Sequence, residues 1–117
     1  MAAGGVPQSL VGTWGKSIAL TTFEKSHVVG EPAGHYGIKI RTSGLTSLYY
    51  GTSPFTTMRA VVSGHSVTFG PRADGVCPGK GIYHWVISRS RLDFTAVKEG
   101  CGARKVLMTA GTFALEH

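Results

Sequence analysis

The 117-residue chain has little charge: 15% of its residues are Asp, Glu, Lys or Arg, against roughly 25% in an average soluble domain. Acids are the scarcer sign, six against 12 Lys and Arg, for a formal net charge of +6 with histidine neutral. Carboxylates this few and this scattered offer no acid–base pair for general catalysis. Glu24 reads as a helix cap, Asp93 as an outward strand residue, and Asp74 and Glu99 as loop residues. Cysteine is limited to two positions, which excludes a disulfide-dense scaffold. With no histidines at ligand spacing, zinc is not expected either. No apolar run approaches the roughly 20 residues of a membrane-spanning helix. The amino terminus lacks the basic-then-apolar layout of a signal peptide. Gly-x-Ser-x-Gly, phosphate-loop and dinucleotide fingerprints are all missing, and no cofactor is expected.

Sustained helical periodicity is also missing. Short period-two runs recur instead, separated by Gly, Pro and Ser clusters, the pattern of an all-β chain. The length supports one domain. Residues 1–8 read as a flexible arm, residues 9–114 as a single β-barrel domain, and Leu115-Glu116-His117 as the start of a vector-encoded histidine tag. Eight strands are expected, near Leu10 to Ala19, Gly34 to Thr42, Leu45 to Tyr50, Thr56 to Val62, His65 to Phe69, Gly81 to Ser88, Leu92 to Val97 and Arg104 to Phe113. Thr21-Thr22-Phe23-Glu24 has the form of a capping box and predicts a short helix between the first two strands.

Three hairpins set the facing of the side chains. A two-residue Ser43-Gly44 turn places Ile38 opposite Tyr49, so that Tyr36, Ile38, Ile40 and Tyr49 share one face. A Ser63-Gly64 turn pairs Met58 with Phe69, and a turn at Arg89-Ser90 pairs Trp85 with Phe94 and Tyr83 with Ala96. On the other face fall Lys39 and Arg41 in the first hairpin, Arg59, Ser66 and Thr68 in the second, and His84, Ser88, Arg91 and Asp93 in the third. Eight meandering strands with one apolar face remove their edges by closing into an antiparallel up-and-down barrel. The tight turns lie at one end of it. The longer links, including the one after Tyr50, gather at the other, which becomes the expected mouth.

Leu10-Val11-Gly12-Thr13-Trp14 resembles the Gly-x-Trp opening of lipocalins and other calycins. Gly81-Ile82-Tyr83-His84-Trp85, with a cysteine before it and Cys101-Gly102-Ala103-Arg104 further on, is similar to small lipocalin-like proteins of bacteria. That resemblance implies a calycin-like barrel. It also admits a cyclase, since some small bacterial barrels of this form are cyclases.

The inward set expected to line a ligand cavity is Tyr36, Tyr49, Met58, Phe69, Tyr83, Trp85 and Phe94, with Met108 if the last strand has the matching phase. Arg104 starts that strand at the mouth, where it would meet an anionic group on a ligand. A fully packed core is the alternative for the same residues. Cys77 and Cys101 fall in links at the same end, so a disulfide is expected there, two unpaired thiols in a reducing cytosol being the alternative. The function expected is the binding of a small, largely apolar or aromatic molecule. A cofactor-free cyclase or isomerase using the same cavity is the alternative. Single-stranded nucleic acid ranks third and is not the expected partner, because Lys39, Arg41, Arg59, Arg89 and Arg91 face outward while the aromatics face in. Location follows the native amino terminus: secreted if a signal peptide has been removed, cytoplasmic otherwise.

Overall fold

A computed structural model describes residues 6–28 and 30–116. The strands are β1 (Gly12–Ile18), β2 (Gly34–Ile40), β3 (Leu45–Tyr50), β4 (Ser53–Ser63), β5 (Ser66–Phe69), β6 (Gly81–Ser88), β7 (Arg91–Lys98) and β8 (Phe113–Glu116). Each pairs antiparallel with the next, and β8 returns to β1, closing an eight-stranded up-and-down barrel. A short helix, α1 (Leu20–Lys25), follows β1, and a second, α2 (Gly102–Thr109), lies between β7 and β8.

Four local expectations change. The segment from Arg104 to Phe113 is not the eighth strand. Most of it is α2, and β8 is four residues long. Ala103, Arg104, Lys105, Leu107 and Met108 are strong helix formers, and Arg104, Leu107 and Met108 recur at helical spacing and are all buried. Leu115 and Glu116 belong to β8, paired with Trp14 and Thr13, so the barrel extends through Glu116 and beyond residue 114. The link after Tyr50 is two residues long, because β4 begins at Ser53. The long-link end is therefore bounded by three long connections. The capping box also fails to form: the N-cap of α1 is Ala19, with no side-chain hydrogen bond.

Turn length decides which faces were read correctly. The β2–β3 hairpin uses three residues, Thr42 to Gly44, with Gly44 at φ +92° and its N–H donating to the Arg41 carbonyl. One extra loop residue inverts the phase of the returning strand. Thr46 and Leu48 therefore point inward beside Ile40 and Ile38, and Tyr49 turns out to the surface. At β4–β5 the turn is Gly64-His65, one position later than expected. That slides the pairing by two residues and leaves Met58, Ala60, Val67 and Phe69 inward. Arg89 and Ser90 form a two-residue turn with both φ angles positive, 53° and 62°, the geometry a twisted hairpin requires, and Trp85↔Phe94 and Tyr83↔Ala96 pair as expected.

Both barrel ends are covered. At the tight-turn end, Val6 and Leu10 are buried and the Trp14 indole N–H donates to the Leu10 carbonyl. Val6 of the expected arm thus belongs to the core, while residues 1–5 lie outside the described residues, as does His117 of the expected tag. At the long-link end, Phe23 of α1 meets the Tyr36 ring edge-on, and Leu107 and Met108 of α2 are buried.

Burial makes β6 a direct check on register. Trp85→Ala should cost about 3–5 kcal/mol, as for a large buried aromatic, and His84→Ala at most about 0.5 kcal/mol, as for a surface site. Chemical denaturation of the two variants reads the difference; the opposite order would mean that β6 is inverted.

Candidate functional site

The expected cavity residues are mostly brought together, but against one another. Phe69, Tyr83, Phe94 and Phe113 form an edge-to-face cluster across β5 to β8, with ring centroids 5.8–6.1 Å apart. Met58 is buried on β4, and Met108 is buried on α2. Trp85 lies at the tight-turn end against His65, with ring centroids 5.3 Å apart. The tyrosine hydroxyls are engaged as well. Tyr36 donates to the Pro32 carbonyl at 2.5 Å and Tyr83 to Glu99 Oε2 at 2.5 Å. Tyr49 stands outside the barrel and leaves the inward set. Phenols and rings expected to line a space thus serve mainly to fill it.

Arg104 is where the structure adds most. It lies on α2, fully buried, and does not face an open mouth. Its Nε and Nη2 bind Glu99 at 2.6 and 3.0 Å, Nη1 donates to the Gly70 carbonyl at 2.8 Å, and Nη2 also donates to the Gly79 carbonyl at 2.9 Å. Glu99 accepts further bonds from the Tyr83 hydroxyl and from the Cys101 N–H at 2.9 Å. Burial alone would raise the Glu99 carboxyl; the donors from Arg104, Tyr83 and Cys101 outweigh it and hold the group below its ordinary range. Burial, then Glu99, push the Tyr83 phenol strongly up, so it stays protonated as a donor. Gly81 is part of this arrangement: a Cβ there would strike the Glu99 carboxylate and come within 3.0 Å of Arg104 Nη2. Glu99, read from sequence as a loop residue, is the anion this guanidinium was built to meet.

Cys77 and Cys101 are disulfide-bonded, with Cα atoms 5.7 Å apart, and join the β5–β6 link to the start of α2. Beside them opens a cleft of about 500 Å³. Its walls include Val28, Val76 and Pro78, with His27 and Lys80 as basic groups and Gly102 and Ala103 at the start of α2. Arg104 and Glu99 also line it, already committed to each other.

Lys16 belongs to no motif in the sequence. It alternates with Trp14 and Ile18 on the inward face of β1 and is buried, its Nζ 3.9 Å from the centroid of the Phe113 ring. Among the described residues Nζ has no hydrogen-bond partner. Burial lowers the amine from 10.5 to about 7, and the nearby Asp93 charge only partly opposes the shift. Alternation along β1 was the available signal: Trp14, Lys16 and Ile18 share one phase.

On the outside, Lys39, Arg59, Arg89 and Arg91 are exposed, and Arg41 lies over Ser47, donating to its Oγ at 2.8 Å. Among the described residues no cluster of three or more His, Cys, Asp or Glu is placed to hold a metal ion. No helix among them is long and apolar enough to cross a membrane. Fold and site together define a closed eight-stranded antiparallel barrel with a disulfide-braced cleft at its long-link end. No family model, curated protein or solved structure matches the chain.

Two electrostatic outcomes follow. Removing one member of the buried pair strands the other charge, so Glu99→Ala should cost about 3–5 kcal/mol in denaturant titration; a loss near zero would mean that the pair is solvated. Lys16 acts in the opposite sense. Its folded-state pKa lies below its unfolded value, so the cost of burying its charge is fully present below pH 7 and fades as pH rises from about 7 towards 10.5. Lys16→Met should therefore stabilise the barrel most near pH 6 and least near pH 10. Equal gains at both pH values would show that the amine is not desolvated.

Proposed function

We propose that the chain is a small-molecule-binding barrel of calycin-like form. Its ligand is largely apolar or aromatic, carries an acidic group, and sits in the cleft beside the disulfide, outside the packed interior. The observation that carries this reading is the cleft itself: apolar walls from Val28, Val76 and Pro78, with Lys80 beside them. Such a lining suits an apolar body with one polar anchor. Lys80 takes the role first expected of Arg104, whose guanidinium is spent on Glu99 and two backbone carbonyls. Supporting the calycin-like reading are the eight-stranded up-and-down order and the burial of Trp14 near the start of β1.

The probe pair is 2-naphthoate and its neutral amide, followed by amide NMR on isotopically labelled protein. Naphthoate should shift the amides of residues 76–80 and 101–103 saturably. Lys80→Ala should weaken naphthoate by about two- to fivefold, the worth of one ion pair at an exposed site, and leave the amide unchanged. No saturable shift in those segments, or equal loss for both probes, would overturn the proposal.

A further inference from the structure

A second hollow, of about 230 Å³, opens where the end of β3 and the starts of β2 and β4 meet the link before β2. It shares no residue with the cleft beside the disulfide. Its lining is Glu31, Pro32, Tyr36, Tyr50 and Phe55. The Tyr36 ring stands steeply to both neighbours, at 63° to Tyr50 with centroids 5.2 Å apart and at 82° to Phe55 at 6.4 Å. The rings therefore form angled walls, with no flat stack among them.

The side chains are held in place from the same link. Tyr36 donates its hydroxyl to the Pro32 carbonyl and Tyr50 to the Ala33 carbonyl, both at 2.5 Å. Gly34 lets Tyr50 lie down on the backbone, since a Cβ at Gly34 would fall 2.7 Å from the Tyr50 hydroxyl. With both phenol protons spent, the hollow presents ring surface and one carboxylate. Among the described residues Glu31 makes no salt bridge, whereas Asp74, Glu99 and Glu116 each have a basic partner. Arg72, the nearest guanidinium, is paired with Asp74 and lies 5.4 Å from the Phe55 centroid, so this aromatic group already engages one cation.

We propose that Glu31, Tyr36, Tyr50 and Phe55 form a subsite for an alkylated ammonium group. Tyr36 is buried beneath the other two rings, so it is Tyr50 and Phe55, the accessible ones, whose electron-rich surfaces attract a cation, and Glu31 adds charge of the matching sign while disfavouring an anion. Alkylation follows from the lining, which is almost wholly ring and other carbon surface. A primary ammonium would have to share the few oxygens there, the Glu31 carboxylate and the two phenol oxygens, among three N–H donors, whereas a trimethylammonium group has none to satisfy.

Choline and its uncharged isostere 3,3-dimethyl-1-butanol test this directly, read by NMR of the aromatic side chains. Choline should shift the Tyr50 and Phe55 ring signals saturably, with the isostere at least about tenfold weaker, since the two differ in charge and hardly in shape. Tyr50→Leu should weaken choline about tenfold. Glu31→Gln, a surface change that leaves the fold intact, should weaken it about threefold and leave the isostere unchanged. Equal binding of choline and isostere would reduce the hollow to an apolar dimple and overturn the proposal. So would the absence of saturable shifts at millimolar choline, or shifts that Glu31→Gln leaves untouched. Co-sedimentation with phosphatidylcholine vesicles would assign the group to a lipid headgroup, and choline binding without it to a free solute. Naphthoate binding at the other cleft is independent of every outcome here.

Discussion

The Arg104–Glu99 pair is the contact on which the long-link end depends. It ties α2, through Arg104, and both ends of the β5–β6 link, through the carbonyls of Gly70 and Gly79, to the paired strands β6 and β7, through Tyr83 and through Glu99 just after β7. A buried ion pair is weak evidence for stability when its remaining donors go unmet. Here the guanidinium reaches two backbone carbonyls as well as the carboxylate, and that carboxylate takes two further donors. The Cys77–Cys101 bridge acts on the same link from its middle. Closing a loop of 24 residues contributes about 3.5 kcal/mol through unfolded-state entropy. The bridge restrains the unfolded chain and the ion pair organises the folded one, so the two act on different states.

A short final strand explains the rest of the architecture. β8 meets β1 only over Thr13 to Gly15 and β7 only at Arg91 and Leu92. Over the remaining length of β7 and β1 the barrel wall has no strand to complete it, and α2, packed against β7, supplies apolar cover instead. Lys16 lies one residue past the last β1–β8 pair, its amine over Phe113 at the start of β8. An ammonium there gains from the ring face and loses far more by desolvation, which is why its titration falls so low. This seam is the place where the barrel departs from a uniform meander.

Much of this was legible in the sequence because period two is a strong signal where one face is buried. The first seven strands, the closure, the Cys77–Cys101 pairing and the inward phase of Met58, Phe69, Tyr83, Trp85 and Phe94 all follow from alternation and turn residues. Errors came from places where alternation competes with another rule. Tyr49 was inverted by one residue of loop length, because Thr42 joins the turn and Gly44 takes the left-handed position. The error at Ser63-Gly64 was harmless, since moving a turn without changing its length preserves parity. The stretch from Arg104 to Thr109 carries both readings: Val106 and Thr109 favour a strand, while the Arg104, Leu107 and Met108 stripe favours a helix. Glu99 was invisible as a partner because its role depends on a turn between strand and helix that no periodicity describes.

Eight strands enclose only enough room for side chains or one small ligand, and this chain spends that room on rings. Phe69, Tyr83, Phe94 and Phe113 meet one another at contact distance, so a ligand entering among them would have to displace interactions already made. The recognition we propose is therefore placed at the rim, where links rather than strands set the chemistry. There the two hollows differ in kind. In the cleft beside the disulfide the one carboxylate among the described residues, Glu99, is already neutralised by Arg104, which leaves Lys80 to set the sign. The hollow at Tyr50 carries a carboxylate with no basic partner among the described residues, and its phenol protons are turned away to backbone carbonyls. The opposite charge preferences proposed for the two sites, at one end of so basic a barrel, rest on how each carboxylate is partnered, a property of contacts rather than of composition.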